Sequence, residues 1–272
     1  MAATGLSDGT TMTHDISDLL QAHRSIRRYK PDPVDPALVE QVCADAIAGG
    51  SSSGNLNSVS IVLTRDIARK QRLYELHFEQ PMVLQAPLVM TFCADWFRTR
   101  QWLASRGARD NFDNLIGWHV AAFDAMIVAQ NVCLGFEARG LGICYMGTTL
   151  HSMGAIAELL DLPDTCLPVT TIVVGHPDEA PAQRDRLPLA AFLHDETYHR
   201  PSAEALDATY RERELRGWAR YMAVPELKAE IEARGITSLA QFYTSEAKYD
   251  PEVFRRDAAA LRALLEAKHF LP

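Results

Sequence analysis

Two arginine clusters, far apart in the chain, are the residues best suited to chemistry. The first is His23-Arg24-Ser25-Ile26-Arg27-Arg28 and the second is Arg184-Asp185-Arg186-Leu187-Pro188. A guanidinium grips phosphate through two parallel, charge-assisted bonds, so clusters of this kind suit a phosphorylated ligand. A third polar group, Ser51-Ser52-Ser53-Gly54-Asn55, offers small hydroxyl donors in a loop. Taken singly, each of the three is most often a solvated turn. Together, in an acidic protein, the two arginine clusters suit one phosphate shared by distant segments. Between the clusters runs Gly140-Leu141-Gly142-Ile143-Cys144-Tyr145-Met146-Gly147, where small residues let a flat ligand approach backbone N–H groups. A phosphorylated planar cofactor satisfies all of these features.

Several other chemistries are excluded. Gly5-Leu6-Ser7-Asp8-Gly9 matches a nucleophile elbow by letter, but no strand precedes it and no helix follows. Gly140-Leu141-Gly142 opens like a dinucleotide fingerprint, yet Tyr145 stands where the third glycine belongs, and the stretch leads from a helix into a strand. There is no phosphate-binding lysine loop. His194 and His199 are five apart, which is not the one-face spacing of a helical zinc pair. Five cysteines, at 43, 93, 133, 144 and 166, lie in apolar runs without a CxxC, as expected of reduced thiols in a cytoplasmic protein. With 27 basic and 35 acidic residues the net charge is −8, which gives no reason to expect a nucleic-acid or membrane partner.

The 272 residues, 47% of them hydrophobic, are enough for a large core. Residues 1–14 read as a flexible leader without a signal-peptide pattern, and Met12 as an alternative start. Apolar periodicity and caps predict helices over Ile16–His23, Ala37–Ala48 (capped by Asp35, ended by left-handed Gly49-Gly50), Asp66 to about Phe78, and Ser152–Asp161. Strands are expected over Ser58–Thr64, Leu88–Cys93, Ile143–Met146 and Val169–Val174. Leu115–Glu137 is long enough for a membrane span, about 20 residues, but His119, Asp124, Gln130 and Asn131 interrupt it. It reads as a core helix. Helices at 203–221, 225–234 and 251–268 complete the chain, as an appendage or as an arm around a partner subunit.

At this point a resemblance becomes specific. HRSIRRY, SSSGNLNSVSIV, FEQPMVLQAP, FCADW, RGLGICYMG and GHPDEAPAQRDRLPL occur in the order seen in the FMN-dependent nitroreductase family. The chain most resembles its branch of NADPH-dependent nitroreductases and flavin reductases, over roughly residues 15–200; 201–272 would be a C-terminal helical extension of the same domain. The resemblance implies an α+β fold, with a mixed β-sheet flanked by helices, in an entwined homodimer with FMN at the interface. His23, Arg24, Ser25 and Arg27 would then surround the phosphate, ribityl chain and ring edge. Ser51, Ser52 and Ser53 would reach FMN from the other subunit. Gln80 would bond the polar edge of the ring, and Tyr145, Met146 and Gly147 would lie beside it. Arg184 and Arg186 would close on the phosphate and the pyrimidine side; the family often has Lys where Arg184 stands.

The implied activity is ping-pong transfer of electrons from NADPH or NADH, through FMN, to a small acceptor such as a quinone, a nitroaromatic or a flavin. No side-chain nucleophile is needed. NADPH is only mildly preferred, because Leu150 stands where an arginine is expected; Arg211, Arg213, Arg216 and Arg220 are substitutes, though their spacing reads as a solvated helix face. Acceptor choice falls to variable loops, here 95–114, and to the tail. The alternatives are the same fold with another reductive reaction, such as dehalogenation, or a flavin-binding protein without catalysis.

Overall fold

The computed structural model describes residues 15–272, so the leader, Met12 and the Gly5–Gly9 match lie outside the described residues. The chain divides into two units, one of residues up to 183 together with 264–272, the other of residues 184–263.

In the first unit the elements run α1 (Ile16–Ala22), α2 (Pro36–Ala48), β1 (Val59–Thr64), α3 (Ile67–Leu76), α4 (Met82–Gln85), β2 (Leu88–Asp95), α5 (Phe97–Ser105), α6 (Leu115–Glu137), β3 (Gly142–Met146), α7 (Met153–Leu159) and β4 (Cys166–Gly175). The helix starts follow their caps. Asp35 accepts from the Ala37 N–H at 3.0 Å with Pro36 in the first turn, Asp66 from Arg69 at 2.8 Å, and Asn114 from Gly117 at 3.0 Å. The expected left-handed end of α2 is not what forms. Gly49 caps it in the right-handed region (φ −87°), and a Cβ on Gly50 would stand 3.3 Å from Val128. Close packing on α6 is what that position requires. Residues 95–114, expected as a variable loop, carry α5; its charged, aperiodic sequence hid it.

The sheet order is β1-β2-β4-β3, with each neighbouring pair antiparallel. The parallel pairing that makes it mixed is a bridge between Ser25 and Ile143. Alternation along the strands divides the core in two. Leu88, Met90, Phe92, Ile143, Ile172 and Val174 pack with α2 and α6. Val89, Cys144, Met146 and Val173 pack with Ile26, Tyr29, Leu73, Val83 and Ile156 on the other face. Every residue of β2 is buried, because both faces are covered.

Among the described residues α6 is the one helix long and apolar enough to cross a bilayer by length and composition. Here it is a core helix. Its buried Val128, Val132 and Phe136 pack against α2 and the sheet, each burial stabilising by about 1.5–3 kcal/mol. The opposite face leaves Ile116, Phe123, Met126 and Ile127 exposed. The chain end returns to this unit, with Phe270 edge-on to Trp118 and Lys268 paired with Asp164 at 2.9 Å.

The second unit holds α8 (Ala203–Met222), α9 (Pro225–Ala233), α10 (Leu239–Tyr243) and α11 (Pro251–Ala267), the last turn of which belongs to the first unit. Its small core is Ile231, Leu239 and Phe242, with Trp218, Tyr221 and Tyr243 packed against them.

Candidate functional site

The segment 23–30 is irregular, yet it is held at the edge of the sheet. The Ile26 N–H donates to the Ile143 carbonyl at 2.9 Å, and Lys30 N–H to His176 at 2.9 Å. The buried Tyr29 hydroxyl donates to the Ile26 carbonyl at 2.6 Å; burial pushes that phenol well up. Gly142 belongs to this joint. A Cβ there would fall 2.6 Å from Ile26, so the glycine makes room for a side chain rather than for a ligand.

Glu179 completes the turn. Its Oε1 accepts from the backbone N–H groups of Arg27 (2.5 Å) and Arg28 (3.1 Å), and its Oε2 lies 3.4 Å from Arg28 Nε. Arg28 is thereby spent. Among the described residues the side chains of Arg24 and Arg27 bond only backbone carbonyls, Ala22 at 2.9 Å and Ser25 at 3.4 Å. No carboxylate among the described residues lies within ion-pair distance of either. Two exposed guanidiniums without acidic partners, flanking Ser25, are suited to an anion. His23 Nδ1 lies 2.6 Å from Glu137 Oε1, while Glu137 Oε2 is buried without a hydrogen-bond partner. Burial raises the Glu137 carboxyl above its ordinary range, and the histidine opposes that rise. His23, Arg24, Glu137, Leu141, Pro177 and Ala182 line a cavity of about 540 Å³, within the range of small-molecule sites.

A second group gathers at the end of β3. The Gln80 amide donates to the His77 carbonyl at 3.1 Å and to the Thr148 hydroxyl at 3.4 Å. His77 Nδ1 lies 2.8 Å from the same hydroxyl. The Ser152 hydroxyl donates to the Leu76 carbonyl at 2.6 Å. These contacts clasp the turn after α3 to the 3-10 turn Gly147–Leu150. Tyr145 donates to Gln130 on α6 at 3.3 Å, and Met146 is buried, so its side chain serves the core. At Gly147 a Cβ would meet nothing within 4 Å, leaving open space beside its backbone. Gln80 is thus bonded to the turn that starts at Gly147. Arg24, Arg27, Gln80 and Gly147 fit a phosphorylated planar cofactor in donor type.

The serine loop is held differently. Ser52 donates to Asp124 Oδ2 at 2.7 Å, an oxygen that also takes the Ser58 N–H (3.0 Å) and hydroxyl (2.7 Å). Ser51 and Ser53 are exposed. Among the described residues no hydrogen bond joins this loop to Gln80 or to the basic segment.

Arg184 and Arg186 belong to the second unit and are both exposed. Asp185 between them is the anchor, its carboxylate 3.9 Å from Arg213 and 3.7 Å from Arg220. The expectation of a solvated helix face holds for Arg211 and Arg216, which pair with Asp207 and Glu212 one turn away. Arg213 and Arg220 instead turn to Asp185. Sequence reasoning passed over His77, Thr148 and Glu179. Only the GHPDE stretch after the last strand hinted at Glu179, and nothing local marked His77.

A family profile described as "Nitroreductase family" matches residues 20–176. The FMN reductase (NADPH) of Bacillus subtilis (strain 168) is 32% identical over 190 residues, which are 69% of this chain and 76% of that protein. A crystal structure from Bacteroides fragilis NCTC 9343 superposes with a TM-score of 0.84 at 34% identity, covering 94% of this chain and all of that one. The NADPH:FMN oxidoreductase of Vibrio harveyi complexed with NAD+ superposes with a TM-score of 0.68 at 25% identity, over 82% of this chain and 92% of that one.

Proposed function

The chain belongs to the nitroreductase family and is an NAD(P)H-dependent FMN oxidoreductase, and from that premise we propose that it reduces quinones, nitroaromatics or flavins by a ping-pong mechanism. NADPH is the mildly preferred donor over NADH. The chemistry FMN supplies when bound is uptake of two electrons from a nicotinamide and their delivery to an acceptor. The observation that carries the reading is the contrast within one turn: Arg28 is paired with Glu179, whereas Arg24 and Arg27 have no acidic partner among the described residues.

The residues then have distinct tasks. Arg24 and Arg27 bind phosphate and hold positive charge at the ring edge, where it favours arriving electrons. Glu179 keeps Arg27 presented by fixing the backbone N–H groups of Arg27 and Arg28. Gln80 orients the ring through its amide. The open side of Gly147 gives the ring access to backbone, which a side chain would block. His23 and Ser25 add donors to the same turn. Arg184 and Arg186 are further FMN contacts on the strength of motif resemblance alone. No protein nucleophile takes part: Cys144 is buried, and burial raises its thiol, so it is not a thiolate at neutral pH.

We further read the protein as a cytoplasmic homodimer. The exposed apolar residues of α6, Ile116, Phe123, Met126 and Ile127, support a partner on that face. In that assembly Ser51, Ser52 and Ser53 approach the FMN of the other subunit. The test is direct. Purified protein should be yellow with one noncovalent FMN per chain, and anaerobic mixing with NADPH should bleach it rapidly. Protein that cannot be loaded with FMN, or that keeps its colour with both nicotinamides, contradicts the proposal.

A further inference from the structure

The turn before Gln80 is built against the preference of its own residues. Helix α3 ends in a Schellman motif: Glu79 N–H donates to the Tyr74 carbonyl at 2.9 Å, and Phe78 N–H to Glu75 at 3.1 Å. That motif wants a left-handed residue, normally glycine, after the cap. Here Phe78 (φ +58°) and Glu79 (φ +55°) take up the left-handed backbone in succession. A bulky side chain in this region is a true outlier, and such strain gathers at functional sites. The strain does not serve the core, because Phe78 is 60% exposed. Its ring instead lies 5.8 Å from that of His151, tilted by 48°. His151 closes the turn that begins at Gly147, its N–H donating to the Thr148 carbonyl at 3.1 Å. The two rings therefore bridge the same two turns that Gln80, His77 and Thr148 clasp. Leu150 beside them is also exposed.

We propose that Phe78 and His151 form an aromatic wall of the acceptor site, and that Phe78 favours flat aromatic acceptors over non-planar ones. This rests on the NAD(P)H–FMN reading, which puts the flavin ring at Gln80 and Gly147. A flat acceptor beside that ring gains an edge or face contact with Phe78, a preference typical of aromatic pairs. An acceptor without a π-face gains nothing from it.

The test compares FMN-loaded wild type with Phe78→Gly and Phe78→Tyr, using menadione as the planar acceptor and ferricyanide as the non-planar one. In Phe78→Gly the KM for menadione should rise about five- to tenfold, the equivalent of about 1–1.4 kcal/mol. The ferricyanide rate and the FMN Kd should stay within about twofold. Its Tm should hold or rise by about 2–4 °C, since glycine accepts the left-handed backbone without strain. Phe78→Tyr should behave as wild type. An unchanged menadione KM in Phe78→Gly overturns the proposal. So does equal loss with both acceptors, or a fall in Tm of more than about 10 °C, either of which would make the ring a structural prop. Failure of the underlying reading shows separately, as wild type that neither holds FMN nor reduces ferricyanide.

Discussion

His77 Nδ1 stands 2.8 Å from the Thr148 hydroxyl and ties the end of α3 to the turn that starts at Gly147. The imidazole is buried, and desolvation holds its pKa down to about 4, against 6.5 in the ordinary state. The unfolded chain therefore binds a proton between these values that the folded chain refuses. Stability from this group is complete above about pH 6.5 and is lost as pH falls toward 4, by about 3 kcal/mol in all. His77→Gln should flatten the fall in Tm over that window. Identical pH profiles for wild type and variant would show that other groups carry the acid sensitivity.

Asp124 is the hub of the serine loop. One oxygen takes three bonds, from Ser52 and from the N–H and hydroxyl of Ser58, on the buried side of a largely apolar helix. Asp124→Ala strands all three donors and should destabilise by about 2–4 kcal/mol in urea unfolding. Ser51→Ala, at an exposed position, should change stability by no more than about 0.5 kcal/mol. A mild Asp124→Ala would mean that water replaces the carboxylate at low cost.

The exposed face of α6 gives a third expectation. Light scattering should return about twice the 30.2 kDa chain mass. Phe123→Glu, which places a charge among Ile116, Met126 and Ile127, should shift the protein toward monomer and weaken FMN retention together. A variant that stays dimeric with full FMN would move the interface elsewhere.

What could be read from the sequence followed the range of each interaction. The bounds of α6 were legible because an apolar run fills it, a local signal. The basic turn was legible from the density of arginine. Which arginine remains free was not, because Glu179 meets Arg27 and Arg28 across 152 and 151 positions. Likewise Ser52 looked like a donor awaiting a ligand until Asp124, 72 positions on, claimed its hydroxyl. Gly142 read as room for a ligand, whereas Ile26 fills that space. The strained turn at Phe78 left no trace, since neither Phe nor Glu announces a left-handed backbone. Local caps and periodicity thus marked the four strands and the longer helices but not α4, α5 or α10, while the site depended on contacts between distant segments.

On the proposed reading, the two arginines without acidic partners among the described residues hold FMN while their neighbour does not. The most direct measurement is FMN affinity, by fluorescence titration of protein stripped of flavin, for Arg27→Ala against Arg28→Ala. A charge-assisted bond to phosphate or ring edge contributes about 1.5–3 kcal/mol. Arg27→Ala should therefore raise the FMN Kd about ten- to a hundredfold. Arg28→Ala should leave it within about twofold, because Glu179 still holds both backbone N–H groups. Wild-type affinity in Arg27→Ala, or equal loss in both variants, would contradict the account and reduce the basic turn to a solvated surface loop.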